Sequence, residues 1–261
     1  MATIILVHGI LGVGSELFPD LHPPIKPVFD YFNGVAAHLR NSEINVMAPT
    51  ISPLQSIEDR GKELAQRLEN LPEGRIDIIA HSMGGLDARY ILHHYPDIAK
   101  RITSLTTIGT PHHGSAVADM VHSSAGIFYK LAFPFLLKQV AALVDLTTEK
   151  AEEFNAKTPD RDGVHYMNIA GVAPSYSQQH LLKLAAWIGQ LSGPNDGVVL
   201  RTSAQFKGHE YLGEWPVDHF GEIGWATWRG GLDFHASGFY PDNHLQRYNE
   251  LLAKIWSIQS R

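Results

Sequence analysis

The sequence predicts an α/β fold in one domain, residues 1–261, with a mostly parallel central sheet flanked by helices and a helical cap inserted at about 112–160. Three observations carry that prediction. Short β-type apolar runs alternate with longer helix-type patterns, which is the chain order of a parallel sheet covered on both faces. The runs are almost continuously apolar, as strands buried on both faces must be. The 261 residues, 44% hydrophobic and 18% charged, contain no low-complexity tract, repeat or linker between two cores, and suit one layered domain.

Taken in order, the strands are Thr3–Val7, Asn45–Ala48, Ile76–Ala80, Ile102–Ile108 and His165–Ala170, with a further candidate at His209–Leu212. The helices are Val28–Leu39, Ile57–Leu68, Met83–His94, Thr148–Asn155, Leu181–Gly189 and His244–Ser257. In the second helix Leu64, Leu68 and Leu71 form an apolar stripe beside the charged Asp59, Arg60, Lys62 and Glu63. Residues 11–27 are rich in Gly and Pro and read as an irregular loop. Residues 112–160 are too long for a plain crossover. They contain an apolar stretch, Ala125 to Leu146, whose only charges before Asp145 are Lys130 and Lys138. This is the expected cap over the C-terminal edge of the sheet.

Composition removes several function classes. A net charge of −6 argues against nucleic acid as a partner, because phosphate binding needs a basic surface. With no cysteine, disulfides, thiolate metal sites and a cysteine nucleophile are excluded together. No pair of histidines has His-x-x-x-His spacing, so neither a metal nor a cofactor is expected. The chain opens directly on its first strand, without a basic n-region or cleavage site, and its apolar run Leu131–Leu137 is too short to span a bilayer. The expectation is a soluble protein without a transmembrane segment, cytoplasmic or secreted without a classical signal.

The chemistry concentrates where Ile76-Asp77-Ile78-Ile79 runs into Ala80-His81-Ser82-Met83-Gly84-Gly85 and then into the helical Leu86-Asp87-Ala88-Arg89-Tyr90. Strand, sharp turn and helix form the context that a G-x-S-x-G nucleophile requires. The residues two before and two after the serine pack closely and must be small; here they are Ala80 and Gly84. The same residues would also serve as a helix N-cap with a glycine turn, and it is the placement between strand and helix that favours Ser82 as nucleophile. At the end of the first strand, His8-Gly9-Ile10 lets the chain turn over the sheet edge. The expected oxyanion donors are the backbone N–H groups of Ile10 and Met83. His8 itself reads as a structural residue bonding the loop backbone.

In a fold with such an elbow, acid and then base follow the serine along the chain. The best acid is Asp196, in Gly193-Pro194-Asn195-Asp196-Gly197, although Asn-Asp-Gly is also a common turn sequence. The base must come later, from His209, His219, His235 or His244, and spacing alone favours His219 without excluding the others. Asp218, beside it, is expected at the surface.

These motifs together resemble the bacterial triacylglycerol lipases of the α/β-hydrolase superfamily, and related fungal lipases. The resemblance rests on Leu6-Val7-His8-Gly9-Ile10, the segment from Ala80 to Tyr90, Gly109-Thr110-Pro111-His112-His113-Gly114-Ser115, Leu146-Thr147-Thr148-Glu149 with Phe154-Asn155, Gly163-Val164-His165-Tyr166, Asn195-Asp196-Gly197-Val198-Val199 and Asp218-His219. It implies Asp196 and His219 as acid and base, and residues 112–160 as a lid over the active site. One position departs. Such lipases often carry a calcium-binding acid two residues after the catalytic histidine, and here that residue is Gly221, with Glu222 one position on.

The expected partner is therefore an ester or lipid substrate, hydrolysed through an acyl-enzyme, with transient contact between the lid and a lipid interface. A short-chain carboxylesterase or polyester hydrolase is the competing enzyme; a non-catalytic ligand-binding protein of the same fold is the remote alternative. A haloalkane dehalogenase is disfavoured because it would need a carboxylate at position 82. Within the cap, Phe128, Leu131, Phe133, Phe135 and Leu137 are the candidate substrate and lid residues. Pro134 should divide the segment into two pieces. If their inner face lines an acyl pocket, Phe133→Asp or Leu137→Asp should depress hydrolysis of long-chain esters far more than of acetate or butyrate esters. Equal loss on both classes with a large drop in melting temperature would identify the segment as core.

Overall fold

The computed structural model describes residues 2–10, 30–42, 44–71, 73–122, 141–173, 192–225, 227–228, 231–232 and 244–260. The loop at 11–27, the helix at 181–189, His235 and the lid side chains Phe128, Leu131, Phe133, Phe135 and Leu137 lie outside the described residues.

Six strands, β1 (Thr3–Val7), β2 (Asn45–Met47), β3 (Ile76–His81), β4 (Ile102–Ile108), β5 (His165–Gly171) and β6 (Glu210–Trp215), form one sheet in the order β2-β1-β3-β4-β5-β6. Every pairing is parallel. Parallel neighbours need crossovers, and the helices that supply them cover both faces. On one face α1 (Val35–Asn41) and the C-terminal helix pack on Ile4, Leu6, Ile79, Ile108 and Met167. On the other, α2 (Ile57–Arg67) and α3 (Gly84–His94) pack on Ile5, Val7, Ile76, Ile78 and Ala80. The period of two along β1 and β3 thus sends alternate side chains into two separate cores. The remaining helices are α4 (Pro96–Ala99), α5 (Ala116–His122), α6 (Ala141–Asp145), α7 (Thr148–Lys157), α8 (Arg201–Ala204) and α9 (His244–Ile258). A short antiparallel pair, β7 (Thr227–Trp228) and β8 (Gly231–Leu232), stands apart from the main sheet.

The helix expected at 28–39 is corrected. It begins only at Val35, because Asn33 and Gly34 take φ of 41° and 85° and make a left-handed entry that a continuous helix cannot contain. The sixth strand is longer than expected and begins one residue later; its residues are exposed or half-buried, as suits an edge. α2 also departs from a simple charged-outside pattern. Arg60 is fully buried, four residues before Leu64 and on the same stripe. Among the described residues no helix is long and apolar enough to cross a membrane.

Leu64 is fully buried between α2 and the sheet. Leu64→Ala should cost about 2–5 kcal/mol of stability, read as a lower urea midpoint with an unchanged slope.

Candidate active site

The site lies at the C-terminal ends of β1, β3, β4 and β5, where an open parallel sheet presents its loops. β3 ends at His81, and Ser82 turns the chain into α3 with φ of 56°, one of two positive values at described non-glycine residues. A left-handed serine is strained, and its neighbours explain how it is held. Ser82 N–H donates to the carbonyl of Ile108 at 2.9 Å, and Thr110 Oγ1 donates to the Ser82 carbonyl at 2.8 Å. A Cβ on Gly84 would stand 2.6 Å from the Val7 carbonyl oxygen and 2.8 Å from that of His8. A Cβ on Gly9 would stand 2.7 Å from Ser82 Cβ. Small residues at these positions are therefore a packing requirement of the turn.

The loop after β1 lies against this turn. His8 Nε2 accepts from Ile51 N–H at 3.1 Å, so Nδ1 carries the proton and donates to the Gly9 carbonyl at 2.9 Å. Burial, then the nearby Arg60 charge, lowers its pKa to about 4. His8 is a neutral structural residue, as its position suggests. Arg60 donates to the His8 carbonyl at 2.8 Å while pairing with the buried Asp87 of α3 at 2.6 Å. One guanidinium thus ties the loop after β1 to the helix after Ser82. The Ile10 side chain packs in the cluster containing Met83 and Leu86. Among the described residues neither the Ile10 nor the Met83 N–H donates a hydrogen bond.

The acid and the base come from later segments. Asn195 and Leu200 bridge, and within that turn Asp196 Oδ1 accepts the N–H groups of Val198 and Val199 at 2.8 and 2.7 Å. The other oxygen, Oδ2, faces His219 Nδ1 at 2.7 Å, and His219 Nε2 faces Ser82 Oγ at 3.0 Å. Turn-former and histidine partner are one residue, because a carboxylate has two oxygens. A main-chain bond from His219 N–H to the Asp196 carbonyl, 2.9 Å, fixes the two loops together. The other described candidates lie elsewhere. His209 bonds Asn168 and Asp160, and His244 bonds the Asn33 carbonyl.

One expectation is corrected here, and one open position is settled in geometry. Asp218 is fully buried, not a surface residue; its Oδ1 accepts the Gly221 N–H at 2.8 Å and shapes the turn behind His219. Glu222 does not turn outward beside Gly221 toward a calcium site. It is fully buried, accepting from His81 Nε2 at 2.8 Å and lying 3.3 Å from His219 Nδ1. His81 in turn meets the hydroxyl of Tyr31 at 2.7 Å. The sequence reading missed Tyr31, His81, Arg60 and Asp87 as parts of this region. Signals existed for two of them: His81 closes a wholly buried strand, and Arg60 falls in register with Leu64.

Charge in this pocket is strongly coupled. Burial disfavours a charged His219, but the Asp196 charge and hydrogen bond, with Glu222's, outweigh it and raise the imidazole pKa above its ordinary value. Burial lowers His81, and the His219 charge lowers it further, so His81 stays neutral. Among the described residues one group has metal-ligand geometry, His81, His219 and Glu222, whose ligand atoms lie within 4.8 Å of one another. Two imidazoles and one carboxylate do not fit calcium, which takes six or more oxygens.

A strained serine on a strand–turn–helix elbow, with imidazole and carboxylate in line behind it at the C-terminal edge of a parallel sheet, is the layout of a hydrolase with a serine nucleophile. The comparisons give the family. Residues 2–195 match the model of the alpha/beta hydrolase fold, and the chain belongs to that family. It is similar to the triacylglycerol lipase of Vibrio cholerae serotype O1, at 28% identity across 84% of this chain and 78% of that protein. It is similar also to the triacylglycerol lipase of Pseudomonas fragi, at 26% identity across 84% of this chain and 87% of the other. Among solved structures, the mature lipase of Bacillus licheniformis superposes with a TM-score of 0.66 at 25% identity, covering 85% of this chain and 86% of that one.

Activity and melting temperature should be unchanged by millimolar EDTA, since the acid expected of a calcium loop is Gly221 and Glu222 is committed to two imidazoles. A loss restored by calcium alone would refute this.

Proposed function

We propose that this carboxylic ester hydrolase acts on acylglycerols, with Ser82 as nucleophile, His219 as general base and acid, and Asp196 as the orienting acid. The observation that carries the reading is the continuous line from Asp196 Oδ2 through His219 to Ser82 Oγ, with contacts of 2.7 and 3.0 Å at a strained elbow. Ser82 Oγ attacks the ester carbonyl carbon as its proton passes to His219 Nε2. The Asp196 carboxylate, accepting from Nδ1–H, stabilises the imidazolium. The Ile10 and Met83 N–H groups bind the oxyanion, aided by the N-terminus of α3. Collapse expels the alcohol, which takes the proton from Nε2 and leaves Ser82 acylated. Water then repeats the cycle, giving its proton to Nε2 and releasing the carboxylic acid.

The acylglycerol assignment is supported by the named activity of the relatives and by the cap. Ala118 of α5, Ala142 of α6 and Leu146 pack with Met83, Leu86 and Ile10, beside Ser82. That placement suits a lid that admits acyl chains and meets a lipid interface.

Ser82→Ala should abolish turnover of p-nitrophenyl esters and covalent labelling by a fluorophosphonate. His219→Ala should lower turnover by about a millionfold, as loss of one triad member does elsewhere. Near-normal turnover in His219→Ala would overturn the base assignment. A series of esters of rising chain length, run beside emulsified triglyceride, separates a lipase from a short-chain esterase.

A further inference from the structure

Asp196 is held by a peptide group that is itself gripped from behind. A trans peptide group is planar, with its C=O and N–H pointing in opposite directions. In the peptide that joins Val198 to Val199, the N–H donates to Asp196 Oδ1 at 2.7 Å. The C=O of the same group accepts the Ser115 hydroxyl at 2.8 Å. Asp196 Oδ2 is then left to face His219 Nδ1, also at 2.7 Å. One line of hydrogen bonds thus runs from Ser115 Oγ to the imidazole, with a rigid amide in its middle.

Ser115 has a fixed place from which to do this. It is buried, and its own N–H donates to the Leu146 carbonyl at 2.8 Å, in the described stem of the 112–160 insertion. Gly114 before it has φ of 80°, and a Cβ there would stand 2.6 Å from Thr148 Cα, so the loop after β4 lies flush against that stem. Ser203 of α8 fastens the loop again: its Oγ donates to the Gly114 carbonyl at 2.6 Å and accepts the His113 N–H at 3.2 Å. At the other end of the loop Thr110 Oγ1 donates to the Ser82 carbonyl. Residues 110–115 therefore touch the main chain of Ser82 at one end and the turn of Asp196 at the other. Without the Ser115 hydroxyl the 198–199 peptide is held at one end only. Its N–H can then turn away from Oδ1, and the carboxylate loses the contact that keeps Oδ2 toward His219. Burial pushes Asp196 up, and the Val199 N–H is among the groups that pull it back, so the same peptide also helps to keep the carboxylate charged.

We propose that Ser115 is a positioning residue for Asp196: its hydroxyl fixes the 198–199 peptide, and through that peptide the carboxylate that orients His219. The proposal rests on the reading of Ser82, His219 and Asp196 given above. Ser115 touches no reacting atom, so its contribution passes wholly through the acid.

The test is a double-mutant cycle of Ser115→Ala and Asp196→Asn, read as kcat and KM on p-nitrophenyl butyrate, with melting temperatures. Asp196→Asn should lose about 10⁴ in kcat, as loss of the orienting acid does elsewhere. Ser115→Ala should lower kcat by about 2- to 30-fold with KM unchanged, the range for a residue that acts through another. Added to Asp196→Asn, it should cost nothing further, because the group it orients has already gone. A residue that only supports the core would instead lose the same factor in both backgrounds, along with melting temperature. The proposal is overturned if Ser115→Ala keeps the parent kcat, or if its loss adds in full to that of Asp196→Asn. If Ser115→Ala does not fold, Ser115→Cys, which fills the same space with a weaker donor, takes its place under the same outcomes. Failure of both to fold would assign the hydroxyl to the core and overturn the proposal. A near-normal kcat in Asp196→Asn would sink the triad reading and the proposal with it, whereas full additivity beside a slow Asp196→Asn sinks the proposal alone.

Discussion

Ser82 sits with φ of 56°, a conformation that costs a residue with a side chain about 1–3 kcal/mol and persists only where its surroundings over-determine it. Those surroundings are the two strands beside β3. β1 and the loop after it contribute the carbonyls of Val7 and His8 against Gly84, and β4 contributes the Ile108 carbonyl that accepts the Ser82 N–H. Their positions follow from the register, Val7 beside Ala80 and His81 beside Ile108. A slip of one residue would reverse the alternation of β3 between its two cores and remove these contacts together. The apolar pattern of β1, β3 and β4 therefore stabilises more than a core. It sets the frame in which a strained serine is tolerated.

Two sets of buried charge stand on that frame and behave differently. Arg60 and Asp87 form a closed pair, with the guanidinium also donating to the carbonyls of Ser52 and His8. Burial pushes Asp87 up to about 6 even though Arg60 pulls it down, so the pair holds position at an energetic cost. Its gain is geometric: α2, α3 and the loop after β1 meet at one planar group. The second set, Asp196 and Glu222 around His219, is open. Burial raises Asp196, while Glu222 is held down against burial by hydrogen bonds from His219 and His81. The closed pair sets distances, and the open set favours a charged imidazole between its two acids.

The sheet was legible because strands buried on both faces are nearly continuous apolar runs, and β1 and β4 have the bounds those runs suggest. Ser82 was legible for a related reason, since an elbow needs small residues at fixed offsets between a strand and a helix. Asp196 was legible only as one of two readings, and in the structure one carboxylate oxygen accepts turn N–H groups while the other faces His219. Asp218 was misread because a charged residue in a short turn looks solvated in sequence; the burial of that turn and of Glu222 depends on α9 and on glycines more than fifty residues away. The Val35 helix start was obscured in the same way, since Asn33 and Gly34 act through backbone conformation and not through pattern.

The contacts around His219 also fix where protons reside. Glu222, held ionised, can only accept, so His81 donates to it from Nε2. A neutral His81 then accepts at Nδ1, and the Tyr31 hydroxyl must be the donor. Burial raises Tyr31 well above its ordinary pKa, which keeps that hydroxyl protonated and the direction of the chain fixed. A Cβ on Gly9 would stand 2.8 Å from the same hydroxyl, so the chain ends against the loop before Ile10. Tyr31 and His81 have no second proton state within reach, and the only group in this row poised to change charge is the imidazole beside Ser82. Donors and acceptors that keep their orientation while charge develops are what a preorganised site requires, because nothing around the reacting atoms must then turn during the step.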